Sequence, residues 1–196
     1  VRLMLFGLFF SLWFPMRATS ALMQAVRQAY HLGPPRREIV HWLKTLIYTV
    51  MLILTIAVTL AFMTVGDRLL SWLMVQFRLP VFWAELWRRL RFPAAGTAGY
   101  FALFFLYALS QDGVRPWREL WPGTAAALAA WLGLNWLYAE YVERFAHYSL
   151  LYGSIGAVIV LLIWLNMTAM VLILGAEFNG TLLSLRNERE KRGTPQ

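Results

Sequence analysis

The polar residues that could do chemistry are few, and they lie within strongly apolar sequence. Residues 148–176 contain no charge, yet this run carries Asn166 near its middle and is followed at once by Glu177. Asn166 and Glu177 are separated by about three helical turns, so a helix places them on one face. Polar groups at membrane depth are costly and therefore indicate function. The spacing predicts a polar track that faces the interior of a helix bundle.

Each of these residues also has a structural explanation. Asn166 could hydrogen-bond a neighbouring helix, and Glu177 could mark the cytoplasmic edge of its span. The helix dipole opposes a carboxylate near a helix C-terminus, so Glu177 is expected to have a basic partner. The candidates for that partner are Arg36, Arg37 and Arg118. Asn135, near the outer end of the preceding apolar run, is either a third member of the track or part of an interfacial cap.

The sequence contains no signature of a soluble enzyme. His31, His41 and His147 have no zinc-type spacing, and there is no cysteine. No glycine-rich phosphate loop and no nucleophile elbow occur. The net charge of +8 comes from basic residues between apolar runs, with no aromatic-interleaved nucleic-acid face. We therefore predict no enzyme activity, no cofactor, no metal site and no nucleic-acid partner.

Composition indicates that lipid is the solvent for most of this chain. Hydrophobic residues make up 60% of it and charged residues only 14%, whereas soluble domains are nearer 45–50% apolar. A chain of 196 residues cannot hide that excess in a core. The predicted fold class is an all-α, polytopic helical membrane bundle. It forms a single membrane domain over residues 1–196, and residues 181–196 are a polar tail.

Uncharged runs define about five spans. Residues 45–65 would cover about 30 Å as a helix, the thickness of the hydrocarbon core. Shorter runs lie at residues 93–109 and 122–138, a longer one lies at 148–176, and a partial run lies at 1–14. The alternative for the N-terminal run is a signal peptide.

Residues 66–92 separate the second and third spans and carry five arginines. Trp83 and Trp87 share a helical face with two leucines, which predicts an interfacial amphipathic helix. An ordinary loop and a re-entrant hairpin are the alternatives. Arg118, in a short loop on the other side, is expected at headgroup level.

Small residues recur four apart in two spans, a pattern that allows close helix packing in membranes. The predicted packing positions are Ala98, Gly123, Ala127, Gly153 and Gly156. The alternative is that alanine is simply frequent in membrane helices and that these positions have no special role in packing.

Lysine and arginine indicate the orientation. If the tail after Gly180 is cytoplasmic, eleven of the 18 basic residues lie on the cytoplasmic side, as the positive-inside rule requires. The partners expected from these features are the lipid bilayer and either anionic lipids or another membrane protein. The oligomeric state is left open.

Four stretches of this sequence resemble the YihY/BrkB family of bacterial inner-membrane proteins. The resemblance is strongest in "YVERFAHYSLLYGSIGAVIVLLIWL" followed by "LGAEFNG", and it continues in "VRPWRELWPGTAAALAAWLGLNW". The stretch "LWFPMRATSALMQAVRQAY" is similar more loosely. The chain departs from the family pattern at Arg27, at residues 110–111 and at Asn166.

This resemblance implies six membrane helices with both ends cytoplasmic, and an N-terminal span that this chain lacks. Family members are discussed as transporters or envelope-integrity proteins, without a settled activity. A ribonuclease name has been attached to the family, and nothing in these residues supports it. The function expected is a transporter or exporter of a small solute or lipid-linked molecule. The alternative is a non-catalytic scaffold that binds another membrane protein.

Overall fold

The computed structural model describes the backbone of residues 2–77, 80, 82–113 and 116–193. Side chains at 2–5, 8–9, 65–71, 73, 83–84, 145–155 and 187–193 lie outside that description. The described backbone forms four helices: α1, Arg2–Ala29; α2, Glu38–Phe77; α3, Phe82–Leu109; and α4, Trp117–Gly193. It contains no strand. The predicted all-α fold is therefore confirmed.

Three helical stretches of the described chain are long and apolar enough to cross a membrane: Glu38–Thr64, Glu85–Leu109 and Gly156–Arg186. They overlap the runs predicted at residues 45–65, 93–109 and 148–176. The run predicted at 122–138 is helical but is not among the three, and neither is α1. The result is a helical membrane bundle with three clear candidate spans.

α2 and α3 form an antiparallel pair. The hydroxyl of Tyr48 donates to the carbonyl of Ala102 at 3.2 Å. Farther along the pair, the rings of Phe62 and Trp87 lie 4.1 Å apart between centroids. Because the contacts in α3 run backwards as those in α2 run forwards, the chain reverses between the two helices.

The segment predicted as a separate interfacial helix lies within the first turns of α3. Residues 82–92 are helical and continue into the span through Pro93, which lies inside the helix. Proline removes one backbone hydrogen bond but does not end the helix here. Glu85 pairs with Arg88 at 2.8 Å and with Arg89 at 2.9 Å, so the charges of this segment stabilise one continuous helix.

α4 folds back on itself. Tyr138 donates a hydrogen bond to the carbonyl of Val160 at 2.7 Å, whereas 22 residues of straight helix would separate them by about 33 Å. Gly123 and Asn179 are likewise bonded at 2.7 Å. We call residues 117–144 the N-terminal arm and residues 156–186 the C-terminal arm.

The packed core lies at one end of the bundle, where α1 and α3 end and where α2 and α4 begin. Its buried apolar residues include Met23, Val26, Tyr30, Tyr48, Leu106, Tyr107, Leu120, Ala127 and Ala176. We call this the connector end, and the end at which α2 passes to α3 and α4 reverses is the hairpin end. Large apolar side chains elsewhere are exposed, for example Leu54 and Leu174. Such a surface fits lipid as the surrounding solvent.

Candidate functional site

The three residues predicted to form a polar track have separate neighbours. Asn166 is exposed on the C-terminal arm, and the described residues give its side chain no hydrogen bond. Asn135 accepts a hydrogen bond from Nε1 of Trp164 at 3.2 Å and so links the two arms of α4. Glu177 lies 3.7 Å from Nε2 of His31. The structure does not bring the three together, and a functional track stays a prediction.

The contact that the structure gives Glu177 is with a histidine, rather than with one of the arginines predicted as its partner. His31 occupies the C-terminal turn of α1 with a positive φ of 53°. The amide of Leu32 donates to the carbonyl of Arg27, and that of His31 donates to Gln28. This bonding pattern ends helices around a left-handed residue. Glu177 therefore faces the terminus of α1.

Two of the predicted packing residues lie where the arms of α4 meet. A Cβ added at Gly123 would overlap the side chain of Asn179 and the carbonyl of Gly175. A Cβ added at Gly175 would overlap Ala127 and the hydroxyl of Tyr107. The backbones approach this closely only because these positions are small.

The other predicted positions are less enclosed. Ala98 and Gly156 are half-buried, and Gly153 lies in a helical segment whose side chains are not described. Of the residues predicted at the membrane–water interface, Trp87 packs on α2 and Arg118 is exposed. The side chain of Trp83 lies outside the described residues.

The connector end contains a buried charge to which the sequence assigned no role. Arg27 is 4% exposed. Its Nη1 donates to the carbonyl of Ser110 at 2.9 Å and to Asp112 at 2.8 Å. Its Nη2 donates to the second oxygen of Asp112 at 3.1 Å and to the carbonyl of Gly33 at 2.7 Å. We call these four residues the Arg27 cluster; it ties the end of α1 to both connectors.

Two of the departures from the resembled family pattern meet in this cluster, because Arg27 bonds the backbone of Ser110. α2 also contacts this region: Nζ of Lys44 donates to the carbonyl of Gln111, the residue after Ser110, at 2.5 Å. Hydrogen bonds from Arg27 hold the pKa of Asp112 below its ordinary value, and the charges of Arg27, Arg36 and Lys44 lower it further. Asp112 is therefore ionised and paired at neutral pH.

A second cluster surrounds Asn179, which is fully buried. Its Oδ1 accepts from the amide of Gly123 at 2.7 Å. Its Nδ2 donates to the hydroxyl of Tyr30 at 3.0 Å and to the carbonyl of Leu120 at 2.9 Å. These backbone groups flank Pro122, which cannot donate an amide proton. Asn179 thus satisfies polar groups beside a proline and joins α1 to both arms of α4.

Tyr107 connects the second cluster to α3. Its hydroxyl donates to the carbonyl of Leu172 at 2.7 Å, and its ring meets that of Tyr30 edge-on at 6.4 Å. Gly180 completes the contact, since a Cβ there would lie 2.8 Å from the carbonyl of Ala29. The "LGAEFNG" stretch therefore lies where α1, α3 and both arms of α4 converge.

Three cavities surround the Arg27 cluster. A cavity of about 570 Å³ lies between α1 and α2 and reaches from Trp13 to Arg27. A second, of about 190 Å³, contacts Arg27 and Asp112. A third, of about 420 Å³, lies between Asp112 and Glu119. Arg27 lines the first two cavities and Asp112 lines the second and the third, so the pair lies where the three cavities adjoin.

The first two cavities are positively charged. Five basic side chains line them, against the carboxylates of Glu38 and Asp112. In the wall of the first cavity, Oγ of Ser20 and Nε2 of His41 are hydrogen-bonded at 3.3 Å, which links α1 to α2. The α2 wall of that cavity is formed by the first two turns of the Glu38–Thr64 span. The arrangement can hold an anion or a polar solute where the span begins.

In the sequence, Arg27 is one of the basic residues of the predicted cytoplasmic side and a departure from the resembled family pattern, and neither property predicts a buried ion pair. The available signal was its position in the apolar pattern of α1: Met23, Arg27 and Tyr30 are four and three residues apart, which is the spacing of one helical face. Asn179 had a signal of another kind, since it lies in the stretch that carries the family resemblance. Within the described residues, no group of three His, Asp or Glu side chains could hold a metal ion.

Comparison with known proteins gives a match over the full chain. A family model described as "Virulence factor BrkB" matches residues 1–196. A ribonuclease-like protein of Bacillus subtilis, YfkH, is 29% identical over 183 residues, which is 92% of this chain and 66% of YfkH. A UPF0761 membrane protein of Tolumonas auensis is 29% identical over 91 residues, 46% of this chain and 30% of that protein. The chain therefore spans less than two thirds of either relative. No solved structure matches it significantly.

Proposed function

Because this chain belongs to the virulence factor BrkB family of membrane proteins, we propose that it acts as a transporter or exporter. Its cargo is a small solute or a lipid-linked molecule, and its path is the space between α1 and α2. The observation that carries the proposal is the cavity of about 570 Å³ there, with Arg17, Arg27 and His41 in its wall. Polar side chains that line a cavity of a membrane protein are candidates for a substrate pathway.

The size and chemistry of the cavity support this function. Ligand sites typically measure about 300–1,000 Å³ and combine apolar walls with a few placed polar groups. Here the indole rings of Trp13 and Trp42 share the wall with Ser20 and Gln24. A site of this composition suits a ligand with both a polar and an apolar part.

The scaffold alternative has less support. It depends on small-residue faces that remain free for another membrane protein. Ala127 is 2% exposed and lies against Gly175, and Gly123 lies against Asn179. These small residues are therefore already used within the chain.

We also propose that the chain is not catalytic. The word ribonuclease belongs to the name of YfkH and is not carried over. Metal-dependent turnover of RNA by the purified full-length protein, abolished by substitution of its own residues, would overturn this part of the proposal.

Transport can be tested by closing the cavity. Full-length protein in proteoliposomes would be tested against a panel of labelled small solutes and short-chain fluorescent lipids. We expect movement of at least one panel member, abolished by Ser20→Trp, which fills the space between α1 and α2. The matched control is Val58→Trp, on an exposed position of α2 away from the cavity. Equal flux in both folded variants, or no flux at all, would contradict the proposal.

We place the chain in the bacterial inner membrane with the connector end and the tail after Gly180 in the cytoplasm, on the basis of the lysine and arginine distribution. The absence of cysteine from the sequence makes single-cysteine labelling clean. Gly113→Cys, in the α3–α4 connector, should resist a membrane-impermeant maleimide on spheroplasts. Pro80→Cys, between α2 and α3, should react. The opposite pattern would invert the topology.

A further inference from the structure

We infer that the cavity between α1 and α2 recognises a phosphate group carried by its ligand. This inference deepens the transport function proposed above and rests on it. The first support is the basic character of its wall, which holds the guanidinium groups of Arg17 and Arg27 against the single carboxylate of Glu38. The second cavity, which also contacts Arg27, adds the positive charges of Arg36, Arg37 and Lys44.

Arg17 supplies the available charge. It lies in the wall of the cavity, its guanidinium is 5.0 Å from the centroid of the Trp13 ring, and it is exposed. The described residues give Arg17 no carboxylate partner. A guanidinium held over an aromatic ring keeps its planar N–H donors open to an oxyanion, and arginine matches phosphate geometry.

Arg27 supplies a buried donor at the other end of the cavity. Its two terminal nitrogens are fully used by the Arg27 cluster, but its Nε is buried and has no hydrogen-bond partner among the described residues. A buried N–H without an acceptor is unfavourable. Arg27 is part of the cavity wall, so a ligand oxygen that displaces the side chains covering Nε would satisfy it.

Neutral donors lie between the two arginines. Gln24 and Gln28 are one helical turn apart on α1. Nε2 of Gln24 donates to Oγ of Ser20 at 3.4 Å, and Ser20 is hydrogen-bonded in turn to His41. A tetrahedral oxyanion can accept hydrogen bonds in several directions, which suits donors spread over one helix face and its neighbour. A single planar carboxylate would use fewer of them.

The depth of the cavity in the membrane suits a ligand that enters from the connector end, either an amphiphile or a soluble phosphate. The α2 wall consists of the first turns of a candidate span, which begins at Glu38. This is headgroup depth. A phosphate there, with an apolar part against Trp13 and Trp42, matches the composition of the wall.

Binding can be measured as ligand-dependent thermal stabilisation, since a ligand that binds only the folded state raises its melting temperature. The full-length protein would be placed in maltoside micelles, which carry no phosphate. The two probes are inorganic phosphate and short-chain phosphatidic acid, with short-chain diacylglycerol as the comparison that lacks the phosphate. Stabilisation by both anionic probes, or by either alone, supports phosphate recognition and identifies the soluble or the lipid source. No shift with either probe overturns it.

Substitution then distinguishes ligand binding in the cavity from nonspecific attraction to the charge of the protein surface. Arg17→Gln is the main variant because its side chain is exposed and outside the Arg27 cluster, so folding is expected to survive. We expect it to weaken phosphatidic acid binding about tenfold, the loss typical of one charge-assisted hydrogen bond. Arg118→Gln, an exposed arginine at the connector end but outside the cavity, is the control. An equal loss in both variants would overturn the inference.

The two proposals fail separately. If Ser20→Trp abolishes flux but neither phosphate probe stabilises the protein, the transport function is supported and the inference of phosphate recognition is rejected. Phosphate binding without any flux would remove the transport function and leave a binding site.

Discussion

The two ends of the bundle handle polar groups in opposite ways. At the connector end they are buried: Asn179 and Arg27 each bond residues of other helices or connectors. Towards the hairpin end the ion pairs are local and exposed, as in Glu85–Arg89 and Glu140–Arg144. Exposed pairs four residues apart contribute a few tenths of a kcal/mol. The difference shows that buried polar contacts between helices are concentrated at the connector end. Towards the hairpin end, local helix formation and apolar contact are supplemented by two half-buried hydrogen bonds between the arms of α4, from Trp164 to Asn135 and from Tyr138 to Val160.

The sharpest test of this comparison uses two asparagines on the C-terminal arm. Asn179→Leu removes the acceptor of the Gly123 amide and a donor to the Leu120 carbonyl, both in a buried site, so we expect a loss of about 3 kcal/mol in unfolding free energy. Asn166→Leu, on an exposed face, should change it little. Unfolding in mixed micelles by SDS titration measures both. A larger loss for Asn166→Leu would reverse the comparison.

Two glycines of α4 test close packing in the same way. Gly175→Ala places a methyl group against Ala127 and Tyr107, and overpacking of this kind costs about 2 kcal/mol. A Cβ at Gly133 meets nothing within 4 Å, so Gly133→Ala should be neutral or stabilising, by up to about 1 kcal/mol from helix propensity. Melting temperatures in detergent report the sign. Destabilisation of both by the same amount would show that packing is not concentrated at the connector end.

Two tyrosines make the same bond in different surroundings. Tyr107 and Tyr138 each donate to a carbonyl of the C-terminal arm at 2.7 Å, but Tyr107 is fully buried and Tyr138 half-buried. We expect Tyr107→Phe to cost about 1 kcal/mol and Tyr138→Phe about half of that. Equal costs would mean that burial does not decide the value of these bonds.

The smallest expected effect is a pH dependence at the Arg27 cluster. The folded state lowers the pKa of Asp112, so its contribution is fully present above the unfolded pKa of about 4 and is lost as the pH falls through the folded value. Because Asp112 is partly exposed, the loss should be about 1 kcal/mol or less. Melting temperatures between neutral pH and pH 3 would show it. Asp112→Asn should remove that part of the acid sensitivity, and an unchanged pH profile would count against the pairing.

Much of the fold could be predicted because it depends on local pattern. Uncharged runs predicted three stretches that the structure forms as candidate spans. The segment at residues 82–92 was harder, since its amphipathic face is compatible both with a separate helix and with the start of α3. The uncharged run that begins at Pro93 predicts a span starting there, but a helix that neighbouring residues support can continue through a proline.

The candidate site was harder to predict than the fold. Asn166 drew attention because it interrupts an apolar run, yet its side chain is exposed. Arg27 and Asp112 are 85 residues apart in the chain, and no local pattern connects them. Asn179 and Gly123 each lie in a stretch that carries the family resemblance, but the hydrogen bond between them is visible only after α4 folds back.

The sequence by itself determined the solvent of this protein, its helical class and the positions of its most apolar spans. Those properties follow from the number and period of apolar residues, which act over a few helical turns. Tertiary structure alone decided which polar groups became buried partners and where cavities remained. A hydrogen bond or an ion pair forms between atoms that the fold places within about 3 Å, and the helix faces that meet depend on packing of the whole chain.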